Sequence, residues 1–458
     1  MWLETVGKSL LTNRFTVMKI LKFGGTSVGS AERMKGVAKL VSSEERKIVV
    51  LSAVSGTTNA LVELASLAYN DQINNFDTKL QELKNKYQDF VEDLYKENSY
   101  KKEASHYIEA HFNKIAQLNT PQFSDKEERI ILAQGELMST RLFHLYLRSI
   151  GVDTVLLPAL DFMRTKEGDP NEAAISQLLY EQIEKHPDCN LFITQGYICY
   201  NEFGEVDNLK RGGSDYSASL IGAAIDAKEI QIWTDIDGMH NNDPRIVEKT
   251  FPIDELSFEE AAELAYFGAK ILHPASVLPA QKANIPVRLL NTMQPEKKGT
   301  LIRADVTHEK RITAIAAKDG IVAIKIRSSR MLLAYGFLRK VFEIFEKYKT
   351  PIDVITTSEV AISLTIDNTA HLSDILEELK SFGNVEFTEN QTIVCVVGTF
   401  LQGNASVPVR VLQLLKEIPI RMISYGGSKY NISILMHSDF KEKALKLLNE
   451  GLFFENAT

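Results

Sequence analysis

Five short runs carry the residue types that could do chemistry. The first is Lys22-Phe23-Gly24-Gly25-Thr26-Ser27, placed just before a helical pattern that begins near Ala31. Glycines at a strand-to-helix turn let backbone N–H groups approach an anion, and a lysine beside them adds positive potential. The lysine precedes the glycines, so the order is not that of a Walker A loop, and a Gly-Gly pair alone is also an ordinary turn. The second run, Ser52 to Asn59, is again small and hydroxyl-rich before a helix. The third, Arg211-Gly-Gly-Ser-Asp215, precedes the helical run Tyr216–Ala227, where Ser214 or Asp215 could simply cap the helix. The fourth, Trp233 to Arg245, is rich in Asp and Asn and reads equally as a ligand loop or a turn. The fifth, Phe267 to Pro274, holds His273 before a proline, which reads as structural.

Elements that must position these runs follow from hydrophobic patterning. Lys19–Phe23, Lys47–Ala53, Asp153–Pro158, Asn190–Thr194, Glu229–Trp233 and Val287–Leu290 read as strands, several nearly continuous in apolar residues. Strands buried on both faces look like this, so we expect an α/β three-layer sandwich with a mostly parallel sheet. The chemical runs fall at the carboxyl ends of such strands, where open α/β sheets bind ligands. Residues 71–125 differ: they are rich in Lys and Glu and read as a helical excursion with a solvated outer face.

With 458 residues the chain is too long for one core, and 44% apolar against 24% charged residues is an ordinary globular composition. A formal net charge of −8 argues against general nucleic-acid binding. Cys189, Cys199 and Cys395 are too few and scattered for a disulfide framework or thiolate zinc site, so a reducing cytosol is expected. The longest uncharged stretch, 390–409, is too polar to span a membrane. Residues 1–17 lack the apolar region of a secretion signal and read as a short extension or a matter of start-codon choice.

Beyond a polar link near 303–311 an internal repeat appears. Pro351-Ile352 and Ile355 match Pro419-Ile420 and Ile423 at an offset of 68, and Ile362-Ser363 matches Ile432-Ser433 at 70. Each copy follows an amphipathic helix, Gly336–Tyr348 or Val409–Lys416. The tail therefore reads as two related βαβ-type units, about 312–388 and 389–458, with interleaving open.

Taken in order, KFGGTSV, LSAVSGTTN, the Gln134-Gly-Glu136 triplet, RGGSDYSA, WTDIDGM with DPR, and FGAKILHP resemble the motif set of the aspartate kinases, a branch of the amino-acid kinase family. The tail resembles their tandem, ferredoxin-like ACT domains, and 331–367 is most similar to the lysine-sensitive, monofunctional type. The resemblance runs from Met18 to the C-terminus and implies a catalytic domain over 18–303 and a regulatory region over 304–458. It implies transfer of the ATP γ-phosphoryl group, with Mg²⁺ on the phosphates, to the β-carboxylate of L-aspartate. That is the first step toward lysine, threonine and methionine. The acceptor is already ionised at neutral pH, so no general base is demanded.

The resemblance also assigns roles. Lys22 and Asp215 are the catalytic pair, and Lys22, Gly24, Gly25 and Ser27 cradle the γ-phosphate. Arg211 grips the α-carboxylate, Glu136 pairs with the ammonium, and Ser52 and Thr58 help seat the substrate. Thr234, Asp235, His240, Asp243, Arg245 and Lys270 hold the nucleotide, and no side-chain metal ligand is implied. Two departures stand out: His240 where the family often has tyrosine, and Asn241-Asn242 for a common threonine pair. A lysine effector is expected near Met331, Gly336, Phe337, Leu338 and Ile352, with Asp353, Thr357, Ser358 and Glu359 nearby and the two carboxylates suited to its ammonium group. Pairing through the ACT units implies a homodimer or homotetramer, with neither nucleic acid nor membrane as partner. Competing readings are a sister kinase acting on glutamate or UMP, and an amino-acid sensor whose kinase half is silent.

Overall fold

The computed structural model describes residues 18–209, 212–268, 272–306, 312–331, 335–399 and 406–454. Residues 1–17, Arg211 and Lys270, for which roles were expected or weighed, lie outside them.

Eight strands build the first sheet: β1 (Lys19–Phe23), β2 (Lys47–Leu51), β3 (Val155–Leu157), β4 (Leu191–Gln195), β5 (Glu229–Thr234), β6 (Glu255–Leu256), β7 (Val287–Asn291) and β8 (Thr300–Ile302). Their order is β6-β8-β7-β5-β1-β2-β4-β3. Every pairing is parallel except β7 with β8. Strands β2 and β4 are buried at every position, which is why they read as nearly unbroken apolar runs. Helices α1 (Ala31–Val41), α2 (Thr57–Tyr69), α5 (Asp125–Ser149), α6 (Glu172–Glu184) and α7 (Gly213–Ala224) connect the strands. Between α2 and α5 the excursion forms α3 (Ile73–Leu94) and α4 (Asn98–Leu118). Phe76, Leu83, Tyr87, Phe90, Ile108 and Phe112 line its inner faces and join the main apolar cluster.

The chain packs as two compact units. One runs to Met239 and includes Asp254–Phe258 and Leu272–Asp305; the other takes His240–Ile253, Glu259–Ile271 and everything from Val306. Both short segments were expected, from sequence, with the catalytic domain. Side chains account for their placement. Val247 joins the apolar cluster of Val394, Ile434 and Leu445. Helix α8 (Phe258–Tyr266) bonds to the second sheet from Glu260, Glu263 and Tyr266.

That second sheet is antiparallel, in the order β10-β11-β9-β12-β14-β13. Its members are β9 (Ile312–Arg327), β10 (Ile355–Thr357), β11 (Ala361–Ile366), β12 (Asn384–Gly398), β13 (Ile420–Tyr425) and β14 (Asn431–His437). Helices α9 (Phe337–Lys347) and α10 (Leu372–Leu379) cover one end, α11 (Ser406–Leu414) and α12 (Lys441–Asn449) the other. The order helix–strand–strand–helix recurs in both halves, which adds a second strand and a closing helix to the βαβ-type unit expected from sequence. The two lobes are interleaved through the long strands. Ile315 and Val394 belong to one core, whereas Val322, Ile324 and Val385 serve the other. Register shifts between Lys318 and Ala323 mark the crossing point on β9, and Gly320 supplies a left-handed φ of 75° there.

Candidate functional site

Five parallel strands, β1, β2, β4, β5 and β7, finish at the same edge of the first sheet. Backbone bonds tie their ends together: Gly24 N donates to Trp233 O (3.3 Å), Ser52 N to Phe23 O (3.2 Å), Gly196 N to Leu51 O (3.0 Å) and Thr292 N to Thr234 O (2.8 Å). Phe23 and Trp233 stack beneath, with ring centroids 5.6 Å apart.

Lys22 occupies the penultimate position of β1, and its Nζ lies 2.7 Å from Asp215 Oδ1 in the first turn of α7. Both side chains are largely enclosed, at 12% and 18% exposure, so the attraction is screened less than on the surface. Gly24 and Gly25 turn the chain beside this pair. A Cβ on Gly25 would sit 2.9 Å from Ala53 O, so the close approach of the two loops requires glycine. Ser27 is buried and holds Thr292 Oγ1 at 2.7 Å.

Helix α7 starts from Gly212 in the left-handed region (φ 67°) with no side-chain cap. Ser214 and Asp215, either of which could have capped it, are engaged elsewhere. Ser214 Oγ accepts from Ser52 Oγ at 2.9 Å, and Asp215 faces Lys22. Helix α2 likewise begins after a left-handed Gly56 without a side-chain cap. Two helix starts thus keep N–H groups available for an anion.

Glu136 comes from the middle of α5, whose start is fixed by a capping box of Ser124 and Glu127. Its Oε1 accepts from Ala53 N (3.2 Å), and Ser139, one turn on, donates to Ser52 O (2.8 Å). Oε2 is buried with no hydrogen-bond partner. Burial pushes this carboxyl up to about 8, despite the Ala53 N–H that favours the ionised form. A contact chain therefore runs Lys22–Asp215–Ser214–Ser52–Ala53–Glu136. Thr58 lies in the first turn of α2 and is exposed; its neighbour Thr57 is buried against Tyr87 Oη (3.0 Å).

Two contributors escaped the sequence reading. Gly196 follows β4, and a Cβ there would lie 2.4 Å from Ser214 Cβ, so this glycine lets Ser214 reach Ser52. Thr292 follows β7 and orients Ser27. Both obey the rule of small or hydroxyl residues just past a parallel strand, which could have found them.

Of the residues expected at the nucleotide, Thr234 and Asp235 end β5, with Thr234 Oγ1 donating to Asp235 Oδ1 (3.1 Å). His240, Asp243 and Arg245 fall in the second unit. Asp243 clamps the exposed Arg245 through Nε (2.9 Å) and a terminal nitrogen (2.7 Å), which holds its carboxyl below the usual range. The unusual Asn241-Asn242 pair is buried structure: Asn241 Nδ2 donates to Asn449 Oδ1 and Asn242 Nδ2 to Leu445 O, fastening the loop to α12. His273 caps the short helix Pro274–Val277 through Nδ1, as expected.

In the second unit, α9 starts at a left-handed Gly336 with no side-chain cap, Phe337 is buried and Leu338 is exposed. Met331 and Ile352 pack on the same lobe's core. Asp353 buries its carboxylate almost fully, at 1% exposure. Oδ1 meets Lys318 Nζ (2.7 Å) and Tyr266 Oη (2.9 Å), while Oδ2 has no partner. Thr357, Ser358 and Glu359 are exposed.

A family model described as the amino acid kinase family matches residues 18–291, and an ACT-domain model matches 394–452. The chain belongs to the amino acid kinase family. This family member is 35% identical to the lysine-sensitive aspartokinase 3 of Escherichia coli over 95% of its own length and 99% of that protein. It is 35% identical to the chloroplastic aspartokinase 3 of Arabidopsis thaliana over 96% of this chain and 82% of that one. Its structure is similar to that of E. coli aspartokinase III in complex with aspartate and ADP, with a TM-score of 0.81 at 34% identity over 95% and 100% of the two chains. The lysine- and aspartate-bound form of that enzyme gives the same TM-score over 95% and 99%.

Proposed function

We propose that this amino-acid kinase is an aspartate kinase, making 4-phospho-L-aspartate from L-aspartate and ATP. The observation that carries the reading is the contact chain from Lys22 through Asp215, Ser214 and Ser52 to Glu136 at one sheet edge. The E. coli relative solved with aspartate and ADP supports it.

Each residue has a task that follows from its chemistry. Lys22 neutralises charge building on the transferred phosphoryl group, and Asp215 keeps the ammonium aimed while the site is empty. Gly24, Gly25 and the N–H groups at the α7 start, with Ser27, line the phosphate path. Arg211 binds the α-carboxylate with its planar fork. The unpartnered Oε2 of Glu136 receives the substrate ammonium, which supplies the counter-charge that lets the buried carboxyl ionise. Ser52 and Thr58 flank the same substrate. Holding both α-groups leaves the β-carboxylate as the only nucleophile in line. Thr234, Asp235, His240, Asp243, Arg245 and Lys270 serve the nucleotide.

Among the described residues no group of three or more His, Cys, Asp or Glu side chains is placed to hold a metal ion. Mg²⁺ carried by the nucleotide would supply charge neutralisation beside Lys22.

Lysine is the proposed feedback effector, acting at the lobe that contains α9 and Asp353 with Met331, Gly336, Phe337, Leu338, Ile352, Thr357, Ser358 and Glu359. The lysine-sensitive relative supports this. Assembly as a homodimer or homotetramer through the ACT lobes and a cytoplasmic setting belong to the same reading. No helix among the described residues is long and apolar enough to cross a membrane, and all three cysteines are buried and free.

The test is hydroxamate trapping of the acyl phosphate with aspartate, glutamate and UMP offered in parallel. Aspartate-specific product is expected. Product from glutamate or UMP alone, or none at all, would overturn the assignment.

A further inference from the structure

Helix α3 belongs to the excursion read from sequence as a solvated outer face, yet two adjacent residues on it reach the loop that follows β2. Lys86 is exposed, and its Nζ donates to Ser55 O (2.6 Å). Tyr87 is buried, and its Oη lies 3.0 Å from Thr57 Oγ1, which is itself sealed from solvent. The two contacts bracket Gly56, whose left-handed φ of 77° opens α2 with no side-chain cap. Ser55 and Gly56 face solvent, and glycine leaves a turn its widest backbone freedom, so bonds from outside the loop help fix where it sits.

The same loop forms one wall of the site. Ser52 meets Ser214, and Ala53 N donates to Glu136 Oε1. Gly135, just before Glu136, is packed on both ends of the turn: a Cβ there would fall 2.8 Å from Ala53 Cβ and 3.4 Å from Thr57 Cγ2. Helix α3 is a firm backing for that turn. The Tyr87 ring meets Phe112 of α4 edge-on at 5.7 Å, and Leu83, Tyr87 and Phe90 share one apolar cluster with Leu61 and Leu64 of α2. Lys79 Nζ also pairs with Glu63 of α2 (2.7 Å). Close-packed interiors transmit a displacement instead of absorbing it, and a misplacement of about 1 Å is enough to cost rate.

We infer that Lys86 and Tyr87 are positioning residues for the acceptor substrate: together they pin the Ser55–Thr57 turn and so set Ser52, Thr58 and the Ala53 N–H that holds Glu136. This deepens the aspartate reading above and rests on its placing Ser52, Thr58 and Glu136 at the substrate. Both act through the loop.

Steady-state kinetics beside thermal unfolding separate this from a plain packing role. Lys86→Met alters an exposed side chain, so the Tm should match the parent. The KM for aspartate should rise about three- to tenfold, while the KM for ATP stays within twofold. An unchanged KM for aspartate overturns the claim for Lys86. So does an equal or larger rise for ATP, the more highly charged ligand, because lost positive potential would then be the cause. Lys86→Arg keeps a donor of similar reach and should return the KM for aspartate to within twofold of the parent. Tyr87→Phe and Thr57→Val each strand one buried hydroxyl, so both should lower the Tm. The double variant leaves no orphan, and its Tm should recover. Its KM for aspartate should stay raised, because the bond is still missing. A parental KM in the double variant overturns the claim for Tyr87, since the bond then serves stability alone. Should the parent phosphorylate a different acceptor, the aspartate reading falls, and the same comparison with that acceptor still decides the positioning roles.

Discussion

Lys22 on β1 and Asp215 on α7 face each other at 2.7 Å, a cation and an anion far apart in the sequence and enclosed at one sheet edge. The pair leaves the free enzyme with its key ammonium compensated, so binding a polyanionic nucleotide replaces one partner with another and no bare charge has to be stored.

Lys22→Ala therefore removes a preorganised donor and also strands Asp215. Turnover should fall by about a hundredfold or more, some 3 kcal/mol of transition-state stabilisation. A coupled ADP-release assay checks this, and near-native turnover would contradict it.

Glu136 predicts a pH signature with two parts. Below about 8 the free enzyme holds this carboxyl protonated, so the KM for aspartate should drop as pH rises toward that value. Stability runs the other way. The native chain binds one proton more than the unfolded chain between the ordinary glutamate range and about 8, so unfolding free energy declines with rising pH across that window. Glu136→Gln should raise the Tm of the ligand-free enzyme at pH 8 and weaken aspartate use at every pH. Calorimetry and aspartate saturation curves, at pH 6 and pH 8, measure both.

Gly196→Ala would drive a methyl group into Ser214 at 2.4 Å. Backbone must shift, costing about 1–3 kcal/mol as overpacking does, and the Ser52–Ser214 bond is lost with it. A lower Tm together with a reduced kcat is expected; a variant that matches the parent in both would mean the strand end yields more easily than its packing implies.

Arg211→Lys keeps charge and loses the fork. The KM for aspartate should increase by about tenfold, or ~1.4 kcal/mol, with ATP saturation little changed. Substrate kinetics for the two ligands separate the outcomes.

Much of this site could be read without coordinates because βα loops are contiguous: Lys22, Gly24, Ser52 and Thr234 each sit where an apolar run stops. Contacts between loops were harder. Ser214 meets Ser52 across 162 residues, a proximity set by strand order, which periodicity does not encode. Asp353 was read as suited to an effector's ammonium group; its partners Lys318 and Tyr266 come from β9 and α8, and no local pattern joins them. The repeat revealed two lobes, whereas the sharing of β9 and β12 between them depends on strand length, the feature least visible in a mixed apolar run.

Those shared strands set a limit on how regulation could ever be lost. Excising either lobe would amputate half of β9 and half of β12 from the survivor, exposing raw edges and an opened core. Release from feedback must then come by altering individual side chains, since no cut in the chain frees one half and leaves the other whole.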